Sequence, residues 1–89
     1  MITKHNLKEL FESLEAEQIE TALNSNYDFI LFECMMFNIG SVARVESFDY
    51  SEELEREANE LGNLFIDKDD FLRLYVEIGA NNKTIQNYL

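Results

Sequence analysis

The sequence predicts an α+β fold in which helices pack on a two- or three-stranded antiparallel sheet, and three features of its 89 residues carry that prediction. Helical apolar stripes occupy both ends of the chain, the middle holds an apolar run that alternates large side chains between two faces, and turn-forming residues mark the boundaries. An all-α bundle is the alternative, because the middle run is also rich in Leu, Met and Glu.

The first segment opens with Thr3 as an N-cap, and Ile2 and Leu7 stand at the spacing of a hydrophobic staple around it. Leu7, Leu10, Phe11 and Leu14 then form one helical stripe. Ile19, Ala22 and Leu23 repeat it out of phase after a five-residue step, which predicts two short helices or one bent helix ending near Asn24-Ser25-Asn26.

From Tyr27 to Phe37 the even positions Ile30, Phe32, Cys34 and Met36 make one apolar strand face. Phe29, Leu31, Met35 and Phe37 make the other, with Glu33 at its centre, so both faces call for cover. Asn38-Ile39-Gly40-Ser41 reads as a turn and Val42 to Val45 as a return strand, together a β-hairpin. In the helical alternative, Ser25 and Asp28 form a capping box and Gly40 ends the helix.

Ser51 caps a third helix that runs to Leu61 and stops at Gly62, with only Leu54, Ala58 and Leu61 facing inward. Leu64-Phe65-Ile66 is a short third strand. Asp67 and Asp70 then stand as an acidic capping box, Ile66 and Phe71 as its staple, and Phe71, Leu72, Tyr75 and Ile78 as the stripe of a helix ending at Gly79. The tail from Ala80 to Leu89 is polar apart from Ile85, Tyr88 and Leu89, and it either docks as a last helical turn or frays.

Length and composition predict one acidic domain spanning residues 1–89. Seven Phe and four Tyr within a 46% hydrophobic chain supply the core that disordered acidic tails lack. No apolar stretch reaches the roughly 18 residues of a membrane span, and Met1 to Leu10 has neither the basic start nor the apolar run of a signal peptide. Cys34 is the sole cysteine, so no intrachain disulfide forms, and a cytoplasmic location is expected.

Catalysis finds little support in these residues. His5 is the one histidine and sits in the first helical turn, a poor place for the base of a nucleophilic triad. Cys34 lies in the most apolar run with no basic neighbour to activate it. One Cys and one His cannot supply a structural zinc site. A calcium loop starting at Asp67 places Leu72 where glycine is required and Ile78 where a bidentate glutamate belongs. Glycine-rich phosphate loops, dinucleotide fingerprints and nucleophile elbows are missing from the sequence. The chain is therefore expected to be no enzyme, with no metal and no cofactor.

Charge is the remaining signal. Eighteen acids against seven bases give −11, which repels nucleic acids and anionic membranes and favours protein partners with basic surfaces. Residues 46–60 hold seven acids against Arg56 alone, a net −6 in one sixth of the chain. Glu46, Asp49, Glu52, Glu53, Glu57 and Glu60 are the expected partner-binding residues, read as lying along one helix surface. Helix neighbours three and four apart stand about 5–6 Å from each other, a spacing of the order found along a nucleic-acid backbone. The expected function is an inhibitor or regulator that occupies the basic, nucleic-acid-binding surface of a partner, as antagonists from phage and mobile elements do. The alternative is a small adaptor or self-associating protein, a homodimer included, that works through the apolar 27–37 segment.

Overall fold

A computed structural model describes the backbone of residues 4–37 and 40–89 and the side chains of residues 6–34 and 42–89. Among these, five helices pack on a three-stranded antiparallel sheet, an α+β fold as expected, in the order α1 (Lys4–Ser13), α2 (Ala16–Leu23), β1 (Phe29–Phe37), β2 (Gly40–Phe48), α3 (Glu52–Leu61), β3 (Leu64–Asp67), α4 (Lys68–Ile78), α5 (Lys83–Gln86). The Thr3 cap, the Ile2 half of the first staple, and Asn38-Ile39 of the expected turn lie outside the described residues.

β1 is the middle strand, in the sheet order β2-β1-β3, so the helical alternative for residues 27–37 is overturned. Its even face decides the main core. Ile30 and Phe32 are fully buried there, beneath the stripes of α1, α2, α4 and α5. Phe11 forms the hub of an aromatic cluster, 4.9 Å edge-on from Phe32, 5.2 Å from Phe71 and 5.6 Å from Tyr75. The out-of-phase stripes of the first segment resolve into two helices, both of which lie against β2.

The odd face carries a second, smaller core. Here Phe29 stacks on Phe65 at 5.2 Å and meets Tyr50 at 5.1 Å, while α3 lies over β3 and buries Ala58. The connection β2–α3–β3 crosses over β1, and that crossing is what lays α3 on this face.

One strand boundary and one capping interaction differ from the sequence expectation. The return strand is not confined to Val42–Val45 but runs from Gly40 to Phe48, in unbroken register with β1 from Phe37↔Gly40 to Phe29↔Phe48. Its outer half reads as polar because it is an edge strand in which, among the described side chains, only Ala43 and Val45 are buried. Asp67 Oδ1 accepts from the Asp70 N–H at 2.8 Å, as a cap should, but Asp70 does not close the expected box: its carboxylate binds Arg73 at 2.6 Å. Gly62 and Gly79 end α3 and α4 at φ of 77° and 72°, a left-handed conformation that other residues adopt only with strain.

Polar bonds lock the helical layer. Asn82, buried, donates from Nδ2 to the carbonyls of Phe11 (3.0 Å) and Leu14 (3.2 Å) at the open end of α1. Its Oδ1 accepts from Thr84 and Ile85, capping α5, and its backbone N–H donates to the Tyr75 hydroxyl. The tail therefore docks, with Ile85 fully buried. Lys68 Nζ donates to the carbonyls of Leu23 (3.3 Å) and Ser25 (2.7 Å), tying the start of α4 to the end of α2.

Two substitutions test this arrangement. Phe71→Ala empties a position only 1% exposed and costs about 3–5 kcal/mol in urea unfolding; a loss below about 1 kcal/mol means the stripe is wrongly placed. Asn82→Ala removes one of the two donors to the Phe11 carbonyl, the side-chain donor to the Leu14 carbonyl and the α5 cap, for a loss of about 2–4 kcal/mol by the same measurement.

Candidate functional site

The acidic residues of α3 stand on a helix whose ends are well specified. Ser51 Oγ accepts from the Leu54 N–H at 3.2 Å, and Gly62 donates its N–H back into the last turn. Glu52, Glu53 and Glu55 occupy the first turn, where the helix dipole favours negative charge. Acidity and helix stability act in the same direction here.

Burial shows which side of α3 is free. Ala58 is covered, Leu54 is half-buried, and Glu52, Glu53, Glu57 and Glu60 are exposed. Leu61 does not face inward as the sequence suggests; it is 68% exposed. β3 spans only four residues and pairs with β1 only as far as Phe32, so the sheet beneath α3 narrows before the helix ends. Leu61 instead borders a shallow concavity with Leu31, Glu33 and Glu57.

The six expected binding residues do not share one helix. Glu46 lies on β2 opposite Leu31, on the sheet face that α3 covers, and Asp49 lies in the connection 49–51. Both are exposed. Charge density drew these two into the helix in the sequence reading, whereas cross-strand pairing holds Glu46 in the sheet. Glu53, Glu57 and Glu60, at i, i+4 and i+7, form one continuous carboxylate row. Arg56 interrupts the neighbouring row, four residues from both Glu52 and Glu60.

None of these carboxylates has an ion-pair partner among the described residues. The described pairs are Lys8–Glu12 (3.9 Å), Arg44–Glu33 (3.4 Å) and Arg73–Asp70 (2.6 Å). The row thus presents its charge outward. Desolvation, then Glu55 and Glu52, hold the Tyr50 hydroxyl above its ordinary value.

A second acidic feature escaped the sequence reading. Glu15, at the N-cap of α2, and Glu17 in its first turn border a concavity of about 490 Å³ whose other wall is β2 from Val45 to Ser47. Thirty residues separate these groups in sequence, and only the packing of α2 on β2 unites them. The 27–37 segment, in contrast, offers little free surface over residues 29–34, which are buried or half-buried in the middle strand. Tyr27, just ahead of it, is 50% exposed.

Cys34 is half-buried on the even face. Its backbone N–H donates to Asn63 Oδ1 at 3.0 Å, and burial, then Glu33, push the thiol from 9.0 up to about 11. The His5 side chain lies outside the described residues, and no cluster of His, Cys, Asp or Glu among the described residues has the geometry to hold a metal ion. No described helix is long and apolar enough to cross a membrane. No protein-family model, curated protein or solved structure matches the chain.

The thiol yields a prediction with a defined sign. The fold favours the neutral form, so its contribution to stability is complete below pH 9 and is lost as pH rises from 9 toward about 11. Urea unfolding of wild type across that window should weaken more steeply than that of Cys34→Ala. Alkylation near pH 8 should run at least about tenfold slower in the folded protein than in urea. Equal rates in the two states mean that the thiol is not held back by the fold.

Proposed function

We propose that this chain is a non-enzymatic protein-binding domain that sets its α3 carboxylates against a basic surface of a partner, and that the surface it occupies normally binds nucleic acid. Glu53, Glu57 and Glu60 form the centre of the contact, with Glu52, Asp49 and Glu46 around it. One observation carries this reading: a rigid, capped helix holds a row of exposed carboxylates with no described ion-pair partner.

Fixed carboxylates about 5–6 Å apart are of the order of backbone phosphate spacing, and they lose little side-chain entropy compared with a mobile acidic tail. The net charge of −11 steers the encounter with a cationic partner. Such a domain acts as an inhibitor or regulator, in the manner of phage and mobile-element antagonists of host nucleic-acid enzymes, with no cofactor and in the cytoplasm, where the Cys34 thiol stays reduced. An adaptor working through residues 27–37 draws less support, since the side chains of 29–34 are buried or half-buried in the sheet.

The test joins a pull-down from the native cell at low and high salt with charge reversal on the row. Changing Glu53, Glu57 and Glu60 together to Lys shifts stability by only about 0.5 kcal/mol each, because all three are exposed. Capture of the partner should fall at least about tenfold and, in wild type, weaken steeply with salt. DNA or RNA should displace the domain. Equal capture by the triple variant, with nucleic acid bound at the same time, overturns the proposal.

A further inference from the structure

Strand β2 pairs with β1 along one side and, among the described residues, has no strand on the other. The direction of the ladder shows which of its groups are unused. Cys34 donates its N–H to Asn63 Oδ1, and the Asp28 carbonyl accepts from the Lys68 N–H, both on the β3 side. Even-numbered residues of β1 therefore turn their backbone groups toward β3, and odd-numbered residues turn theirs toward β2. Through the pairs Glu33↔Arg44 and Leu31↔Glu46, the even residues of β2 are bonded to β1. Ala43, Val45 and Ser47 direct their N–H and C=O groups outward, where no described hydrogen bond meets them.

We propose that this edge pairs with the same edge of a second copy, antiparallel about a two-fold axis through Val45, joining two three-stranded sheets into one of six strands. The register follows from side-chain chemistry. Centring the axis on Val45 sets Arg44 opposite Glu46 of the second copy twice, in non-hydrogen-bonded positions where side chains approach most closely. It also sets Val42, 47% exposed, against Phe48 of the second copy. Shifting the axis by one residue sets Arg44 against its own copy or Glu46 against its own copy. Shifts by two, to Ala43 or Ser47, remove the charge pairs altogether. Only the Val45 register is self-complementary.

Space for a neighbouring strand is present. The concavity between α2 and Val45–Ser47 shows that α2 leaves the lane beside the edge open. Glu15 and Glu17 border that lane in both copies, so their repulsion and the −11 on each chain oppose association at low salt. The edge shares Glu46 with the periphery of the proposed partner contact but leaves the Glu53–Glu57–Glu60 row clear, and because its test reads oligomeric state while the other reads partner capture by the row variant, either reading can fail without the other.

Sedimentation equilibrium in salt of about 0.3 M, over roughly 10 µM to 1 mM protein, should show a monomer–dimer equilibrium. Arg44→Glu and Glu46→Arg should each raise the dissociation constant about tenfold or more, since each places two like-charge pairs across the axis. The double swap Arg44→Glu with Glu46→Arg should restore it. Ser47→Pro removes an outward N–H with no change of charge, and it too should weaken the dimer while far-ultraviolet circular dichroism stays native. If Arg44→Glu unfolds through its contact with Glu33, Glu46→Arg and Ser47→Pro carry the test. A wild-type monomer at every concentration, or a dimer indifferent to folded variants, overturns the proposal. Loss in both single reversals without recovery in the double swap overturns the Val45 register.

Discussion

A middle strand that is apolar on both sides cannot rest at a surface, and the rest of this molecule is arranged around that constraint. Ile30 and Phe32 on one face of β1 require a helical layer, and α1, α2, α4 and α5 supply it. Phe29 and Leu31 on the other face require a second cover, and the chain provides it by carrying α3 across β1 on the way to β3. Every element has a place in one of these two tasks. The acidity of α3 follows as well: a helix that covers only a narrow patch needs few apolar residues, which leaves most of its surface for charge.

Apolar cover alone does not specify how short helices assemble, and directional bonds complete the arrangement. Asn82 bonds the exposed carbonyl end of α1, caps α5 and reaches the Tyr75 hydroxyl, so one buried amide ties the start of the chain to its end. Lys68 does similar work between α2 and α4 through three acceptors on Leu23 and Ser25. Both residues satisfy backbone carbonyls that a helix end leaves open, where an unmade bond is costly.

Much of this was legible in the sequence wherever a local rule governs. Ser51, Gly62, Asp67 and Gly79 mark helix ends because capping chemistry acts within a few residues, and the stripe of Leu7, Leu10, Phe11 and Leu14 marks a buried face by its period alone. The outer half of β2 was not legible, since an edge strand with one buried face alternates weakly and Glu46 and Ser47 resemble a polar turn. Nor were the roles of Asn82 and Lys68, whose partners lie 43 to 71 residues away. The acidic surface was only partly readable: charge density located the α3 row, while the approach of Glu15 and Glu17 to the β2 edge depends on tertiary packing.

The two edges of the sheet are finished differently, and Asn63 is responsible for part of the difference. By accepting the Cys34 N–H, its side chain stands where a longer β3 would have continued, and the four residues of β3 leave a short margin between α3 and α4. The opposite margin is nine residues long and unblocked. A sheet with two long free margins recruits without end and grows into fibres; one with a single long margin has its growth exhausted by a single addition. Through this asymmetry a small, highly charged domain offers an incoming strand one long margin and one short one.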